Sequence, residues 1–253
     1  FSCTCRSGSS IQSFPMAATN ALIGHAAADH PAAEQLRRWF LKAVIFQDTL
    51  VGRDKSMRFV QYLARCLSGV TGYPPFVDIL FALALSRKTL RFGRQLKWGG
   101  EIAKCWHYEK DSFVRATTLV ELGSYWVYCC VDHLCFAQRV KLLRITAHSS
   151  DLLDRFAELF WLTEVVPVLL REHRAYRTGG GAEPGSDMWK TRRDKAKLAL
   201  LKAYCDLACS IYFIQPAAWR NRRVHKAWCG LLGVVTSAIS IRANWPADKC
   251  LEG

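Results

Sequence analysis

Hydrophobic and polar positions along this chain recur mostly with the period of an α-helix. Between Arg53 and Leu67, at 100° per residue, apolar side chains fall on one half of the helical wheel and polar side chains on the other. Phe59 and Leu63 belong to the apolar half. The segment also carries four cations, namely Arg53, Lys55, Arg58 and Arg65. We therefore predict an amphipathic helix with a basic face.

A second basic amphipathic helix is predicted from Phe76 to Trp98. Its large apolar residues stand at i, i+4, i+11 and i+15, so they align along one side of a helix, and they are Phe81, Leu85, Phe92 and Leu96. Its cations spread over the opposite side, and they are Arg87, Lys88, Arg91, Arg94 and Lys97. The Gly and Pro residues between Ser68 and Pro75 separate the two helices.

The rest of the chain predicts further helices. One follows Pro31, and the others are Ala116 to Leu143, Leu152 to Leu170, Lys195 to Ile214 and Val224 to Ile241. No run of useful length alternates with the period of two that is typical of a strand. The predicted fold class is all-α, a membrane-associated bundle of about six to seven helices.

Glycine and small-residue content indicates the domain organisation. Residues 1–30 are rich in Ser, Ala and Gly and predict a poorly ordered tail. Residues 31–248 predict a single helical domain, followed by a short tail at 249–253. Inside the domain, residues 178–187 contain three consecutive glycines and predict a linker, after which Ser186 or Asp187 caps the next helix.

One or two segments are candidates for crossing a membrane. The longest strongly apolar run without a charge is Ala227 to Ile241, 15 residues long, whereas a span usually needs about 20. A spanning helix and a buried helix therefore both stay open. Small residues in this run allow close helix packing and predict self-association through Gly230, Gly233 and Ser237.

Composition favours an anionic partner. The chain has 253 residues, of which 51% are hydrophobic, and a formal net charge of +14. Such hydrophobic content excludes disorder across the whole chain. The charge favours a phospholipid surface or a nucleic acid. The 11 cysteines include no paired CxxC spacing, so we interpret them as mostly reduced, buried small hydrophobes.

The sequence lacks the common signatures of catalysis. It contains neither a G-x-S-x-G string nor a phosphate loop ending in G-K-[ST]. Its seven histidines form no H-E-x-x-H array. We therefore predict a protein that is not an enzyme and has no cofactor or metal site. Glu121 and Asp132 share a helical face and allow proton transfer in principle, but ion pairs with Lys or Arg are the favoured interpretation.

The two basic helices suggest binding to anionic phospholipid membranes. An apolar face edged by cations lies in the interface of a bilayer. Each cation near an anionic surface contributes about 1 kcal/mol, and each buried CH₂ adds about 0.8 kcal/mol. Because shallow insertion expands one leaflet only, many such helices favour curvature. We predict that the cations and apolar residues named above for the two segments, except Phe81, bind membrane.

Three other interpretations stay open at this point. Most amphipathic helices pack their apolar face into a protein core and leave their cations in solvent. A pore for small metabolites is the second, with Glu121, Asp132 and Glu164 along a water-filled path. A soluble, basic, helical nucleic-acid binder is the third, although no recognisable nucleic-acid-binding motif is present, and we predict no nucleic-acid partner.

Four short segments occur in a definite order along the chain. They are Gly52-Arg53-Asp54-Lys55 with Arg58 and Gln61 to Arg65, then Ser86 to Lys88 with Leu90 to Gly93, then Tyr128 to Arg139 around Asp132, and finally Gly230 to Gly233 through Ser237 and Ser240 to Trp245-Pro246. In this order, over roughly Ala33 to Pro246, they resemble the peroxin-eleven family of peroxisomal membrane proliferation factors.

The resemblance implies a non-enzymatic protein of the peroxisomal membrane, or of a specialised peroxisome-type organelle. Such a protein elongates the membrane before division and associates with itself. It cooperates with a dynamin-like fission GTPase and the membrane adaptor of that GTPase. The membrane-remodelling region of the family would fall on Arg53 to Leu67 or on Arg87 to Trp98.

Overall fold

The computed structural model describes residues 31–251, and all regular structure in that range is helical. Nine α-helices follow one another there: α1 (Pro31–Asp48), α2 (Leu50–Thr71), α3 (Pro75–Leu90), α4 (Arg94–Tyr108), α5 (Ser112–Arg139), α6 (Ala147–Thr178), α7 (Asp187–Ile214), α8 (Ala217–Arg220) and α9 (Arg223–Ala243). Two 3₁₀ turns are Gly179–Gly181 and Asp248–Leu251. The all-α prediction is confirmed. The tail predicted at 1–30 lies outside the described residues.

Side-chain caps set the starts of the three longest helices. The carboxylate of Asp111 accepts hydrogen bonds from the first amides of α5, at 2.9 and 3.2 Å. The hydroxyl of Thr146 accepts from Ser149 N at 3.1 Å at the start of α6. The hydroxyl of Ser186 accepts from Trp189 N at 3.2 Å, which confirms the cap predicted after the glycine linker.

The helix predicted from Phe76 to Trp98 is in fact two helices, broken at Gly93. This glycine has φ 76°, in the left-handed region where a residue without Cβ is unstrained. Consequently α3 ends at Leu90 and α4 begins at Arg94. The prediction that Phe92 and Leu96 continue the apolar stripe of α3 is therefore wrong, because residues 91–93 form a turn that separates the two helices.

The chain divides into two compact units, residues 54–240 and the residues on either side of them. In the described part of the second unit, the indole of Trp245 packs against α1, with ring centroids 5.9 Å from Trp39 and 5.4 Å from Phe46. The ammonium of Lys42 pairs with Asp248 at 2.6 Å. These contacts connect the two ends of this unit.

In the unit of residues 54–240, α6 packs along both α5 and α7. Val131, Cys135 and Ala157 form a small apolar core between α5 and α6. A second core lies between α6 and α7 and consists of Val165, Leu169, Leu200 and Ala203. A third core joins α2, α7 and α9 and consists of Tyr62, Cys209, Tyr212 and Cys229.

Glycines bring α2 and α9 into close contact. A Cβ atom on Gly230 would lie 2.3 Å from the backbone nitrogen of Cys66, and one on Gly233 would lie 2.0 Å from the ring of Tyr62. Ser237 is buried and donates to Gly233 O at 2.7 Å. The residues predicted for helix packing and self-association thus hold α9 against α2 of the same chain.

Among the described helices, α9 is long and apolar enough to cross a membrane. About a third of its apolar stretch, 33%, is buried inside the structure. Its length of 21 residues matches the roughly 20 that a bilayer requires. By length and composition, α9 is the candidate for a membrane-spanning segment.

Candidate functional site

The interior of the unit 54–240 contains charged side chains, which proteins rarely bury unless they are paired. Asp132 is 1% exposed and Asp206 is 3% exposed, and Asp54, Arg58 and Lys88 are also buried. Three of these buried residues are aspartates on different helices, α2, α5 and α7. Each of the three binds two cations, so the interior contains three ion-pair clusters.

The first cluster forms around Asp54 on α2. The Nε atom of Arg87 on α3 lies 3.0 Å from Asp54 Oδ1, and an Nη atom of Arg94 on α4 lies 3.7 Å from Oδ2. Arg87 also donates to the amide oxygen of Gln61 at 2.7 Å. The cluster therefore connects α2 to both α3 and α4, across the break at Gly93.

The second cluster forms around Asp132 on α5. It pairs with the ammonium of Lys88 and, at 3.1 Å, with the guanidinium of Arg91. Arg91 also donates to the hydroxyl of Tyr128 at 2.6 Å, and its guanidinium lies 5.3 Å from the centroid of that ring. A buried charge of this kind is stable only when it is paired in this way.

The third cluster forms around Asp206 on α7. The guanidinium of Arg58 donates to Asp206 Oδ1 at 2.6 Å and to the hydroxyl of Thr236 at 3.2 Å. The ammonium of Lys202 binds the other carboxylate oxygen at 2.7 Å. Arg58 therefore connects α2, α7 and α9.

A cavity of about 410 Å³ lies among these clusters. It is lined by residues of α2, α3, α5, α6 and α7 and by the first residues of α8 and α9. On α2 the lining runs from Asp54 to Ser68, which is about 21 Å at a rise of 1.5 Å per residue. This size is in the range of small-molecule sites in proteins.

Two glutamates of α6 face the cavity with no Lys or Arg within ion-pair distance in the described part of the chain. Burial raises the pKa of Glu158 to about 7 and that of Glu164 to about 8. Glu158 Oε2 is buried without a hydrogen-bond partner. Both carboxyl groups are thus partly protonated near neutral pH.

The acidic residues proposed from the sequence for a pore or for proton transfer take different positions. Asp132 and Glu164 line the cavity. Glu121 is not among the lining residues, and it accepts from Arg171 at 2.5 Å. Since both Glu121 and Asp132 bind arginine or lysine side chains, the prediction of structural ion pairs is confirmed.

The structure turns most of the predicted membrane-binding cations inward. Arg58, Lys88 and Arg91 are buried, and Arg87 and Arg94 are ion-paired to Asp54. Their expected position on an outer rim is wrong, because aspartates distant in sequence attract them inside. Lys55 and Arg65 are partly buried and line the cavity, whereas Arg53 and Lys97 are exposed.

The predicted apolar residues have the opposite distribution. Phe92 is 61% exposed and Leu96 is 81% exposed. Leu63 is also exposed, and Phe59 and Leu85 are partly buried. The apolar half of the wheel drawn for α2 thus faces outward in part, and its polar half faces the cavity. This pattern is typical of a chain that has a polar interior and meets an apolar environment outside.

Helix α4 presents an outward amphipathic face. None of its residues is buried. Leu96, Ala103 and Trp106 stand at i, i+7 and i+10 and are exposed along one side, with Lys97 and Lys104 at the edge. The sequence prediction ended at Trp98 and missed the second half of this face. The signal was present in the apolar period that continues to Trp106.

The comparisons with known proteins point to one family. The family model described as peroxisomal biogenesis factor 11 (PEX11) matches residues 40–245. Peroxisomal membrane protein PMP27 of Saccharomyces cerevisiae is 23% identical over 222 residues, which cover 81% of this chain and 93% of that relative. No solved structure matches the chain.

Proposed function

Because the chain belongs to the peroxisomal biogenesis factor 11 (PEX11) family and is a peroxisomal membrane protein, we propose that it elongates this membrane by inserting the exposed face of α4 into one leaflet. The exposed face of α4 that runs from Leu96 to Trp106 carries the proposal. The family is one of proliferation factors and not of enzymes. We therefore propose that α4 acts by deforming the membrane.

The side chains of α4 supply enough binding free energy. Leu96 is 81% exposed and Trp106 is 64% exposed, and full burial of a large apolar side chain contributes about 1.5–3 kcal/mol. Lys97 and Lys104 each add about 1 kcal/mol near anionic head groups. Together these terms reach several kcal/mol, which is sufficient for stable attachment.

Shallow insertion acts on membrane shape. A helix that lies at head-group depth expands one leaflet and leaves the other unchanged. Many copies in one area then favour a tubular membrane, so we also propose that copies of the chain associate there. The fission GTPase and the adaptor expected from the resemblance would act on the tubule that results.

The test uses the full chain and sealed vesicles of phosphatidylcholine and phosphatidylserine. The variant with Leu96→Ser and Trp106→Ser should lose tubulation, measured by electron microscopy. Leu142→Ser is the matched control, because Leu142 is also 81% exposed but lies between α5 and α6. Equal tubulation by wild type and the double variant would overturn the role of α4.

A charge test separates binding from shape change. Lys97→Glu with Lys104→Glu should weaken flotation with anionic vesicles at least tenfold, because two favourable charges become unfavourable. Lys190→Glu with Lys197→Glu on α7 changes the net charge equally at exposed positions and should bind nearly as wild type. Comparable losses in both variants would show that only total charge matters.

The same vesicles test the metabolite conduit. A trapped fluorescent anion and a trapped cation report leakage while electron microscopy reports shape. Tubulation of vesicles that stay sealed supports remodelling by α4. Leakage without any change of shape would favour a path through the cavity of the unit 54–240 and would contradict the proposal.

A further inference from the structure

The charges that line the cavity do not balance. Ten lining residues are basic, and they are Lys55, Arg58, Arg65, Arg87, Lys88, Arg91, Arg139, Lys202, Arg220 and Lys226. Six are acidic, and they are Asp54, Asp132, Asp154, Glu158, Glu164 and Asp206. Two of the six, Glu158 and Glu164, are partly protonated near neutral pH because burial raises the pKa of each. The lining therefore has four more basic than acidic residues. Two of the cations contribute less than a full charge to this excess, because burial lowers the pKa of Lys55 to about 7 and Arg220 pairs with Asp151 outside the lining at 2.7 Å.

The buried aspartates cannot absorb this excess, because each of them already serves two cations. Asp132 binds Lys88 and Arg91. Asp206 binds Arg58 and Lys202. Each of these clusters contains two cations and one carboxylate. At Asp132 both cations are buried, so the positive excess lies in the interior, where uncompensated charge is costly; at Asp206 the Lys202 side chain is 36% exposed. An anion in the cavity would remove this cost.

Two cations of the lining, Arg65 and Lys226, have no carboxylate partner in the described part of the chain. No carboxylate lies within ion-pair distance of Arg65 in the described part of the chain, and its Nε atom is buried without a hydrogen-bond partner. Its Nη1 atom donates only a long bond, 3.4 Å, to the hydroxyl of Tyr212. Lys226 lines the same cavity, and no described carboxylate lies within ion-pair distance of its ammonium either.

Aromatic side chains fix the position of Arg65. Its guanidinium lies 4.7 Å from the centroid of Phe213 and 5.7 Å from that of Tyr212. The hydroxyl of Tyr212 in turn donates to Arg220 O at 2.7 Å. A planar guanidinium held in this way keeps its free N–H directions constant, which suits bidentate binding of an oxyanion.

We propose that this cavity binds a small ligand through a phosphate group, with Arg65 and Lys226 as the residues that contact it. Phosphate suits the site because it carries up to two charges and accepts several hydrogen bonds. The volume of about 410 Å³ leaves room for a group larger than phosphate alone. The inference rests on the cavity and is independent of membrane insertion by α4.

The test measures binding to the full chain in a non-ionic detergent by calorimetry and by the thermal midpoint. The probes are inorganic phosphate, glycerol 3-phosphate and dihexanoyl phosphatidic acid. Saturable binding that raises the midpoint is expected for at least one probe. Binding of the first two identifies a soluble phosphorylated compound as the ligand, and binding of phosphatidic acid alone identifies a lipid head group.

Variants locate the site. Arg65→Gln should weaken binding at least tenfold, and Lys226→Gln should weaken it severalfold while leaving the aromatic contacts of Arg65 intact. Lys104→Gln on α4 lies outside the cavity lining and should bind as wild type. The proposal is overturned if none of the three probes binds saturably, or if Lys226→Gln and a folded Arg65→Gln bind as wild type does.

Discussion

Arg58 and Asp206 are 148 residues apart in the sequence, and their side chains meet at 2.6 Å inside the unit 54–240. The same guanidinium reaches Thr236 on α9 at 3.2 Å. One residue of α2 is thus held by two helices from the far end of the chain. Because both charged groups are buried, the geometry of this contact determines where α2 lies against α7.

Removal of Asp206 should destabilise the protein strongly. Asp206→Ala leaves the guanidinium of Arg58 buried without a carboxylate, and it also removes the ion-pair partner of Lys202. We therefore expect the free energy of unfolding to fall by about 3 kcal/mol or more. Circular dichroism during thermal or denaturant unfolding in detergent measures this. Asp194→Ala on the same helix removes an exposed i,i+3 pair with Lys197 and should cost no more than about 0.5 kcal/mol. Similar losses of unfolding free energy in Asp206→Ala and Asp194→Ala would contradict the buried position of Asp206.

Charge reversal at Lys88 and Arg91 should unfold the protein and not merely detach it from membranes. The sequence alone predicts that replacing Arg87, Lys88, Arg91 and Arg94 by Glu abolishes binding to anionic vesicles and leaves helicity intact. In the structure Lys88 and Arg91 face Asp132, so glutamates there would place three acids together in the interior. We expect a loss of more than about 3 kcal/mol, seen as a lower thermal midpoint. If a variant kept its thermal midpoint and lost only vesicle binding, Lys88 and Arg91 would lie at the surface and the buried position would be wrong.

Two glycine substitutions should have effects of opposite sign. Gly230→Leu places side-chain atoms where the backbone of Cys66 lies, with the first carbon 2.3 Å from its nitrogen, and should cost at least about 2 kcal/mol. Gly123→Ala on α5 meets no atom within 4 Å and should stabilise by about 0.5–1 kcal/mol through helix propensity. Thermal midpoints of the two variants check the prediction, and two shifts of the same sign would refute it.

Glu164 should make stability depend on pH. Its pKa is about 8 in the folded protein against an ordinary value of 4.5, so its contribution is fully present below pH 4.5 and is lost as pH rises through 8. Glu164→Gln removes this dependence. At pH 8 we expect the variant to be more stable than wild type by about 4 kcal/mol, because each unit of pKa difference corresponds to about 1.4 kcal/mol, and at pH 4.5 we expect little difference.

Unfolding at pH 4.5, 6 and 8 measures the difference between the two proteins. Glu183→Gln is the control, since Glu183 is exposed in the linker before α7. A constant difference across the three pH values for Glu164→Gln would show that Glu164 does not titrate in this range.

The helical content could be predicted from the sequence, because the apolar period of 3.6 is local information. The start of α7 at Ser186 was also predictable, since a capping hydroxyl acts within three residues. The break at Gly93 was not, because the residues on both sides of it continue a helical pattern. Only the left-handed conformation of this glycine shows that the stripe ends there.

The direction in which α2 faces could not be predicted at all. The period of Phe59, Leu63 and Arg58 separates two faces of a helix, but it does not say which face meets the rest of the chain. The inward direction of Arg58 depends on its ion pair with Asp206. Because Asp206 is 148 residues away in the sequence, a helical period cannot reveal this pair. The candidate site was therefore found only in part: Leu96 and Lys97 of α4 were identified, whereas Ala103, Lys104 and Trp106 were missed.

The sharing of each buried aspartate by two cations has a consequence for work with pieces of this protein. A fragment that ends before α7 would contain Arg58 without the acid that neutralises it. Such a fragment would present free guanidinium groups beside Val60 and Leu63, which are exposed already in the intact chain. It would bind acidic lipids as any cationic peptide does, so lipid affinity measured on the excised segment would not describe the parent molecule.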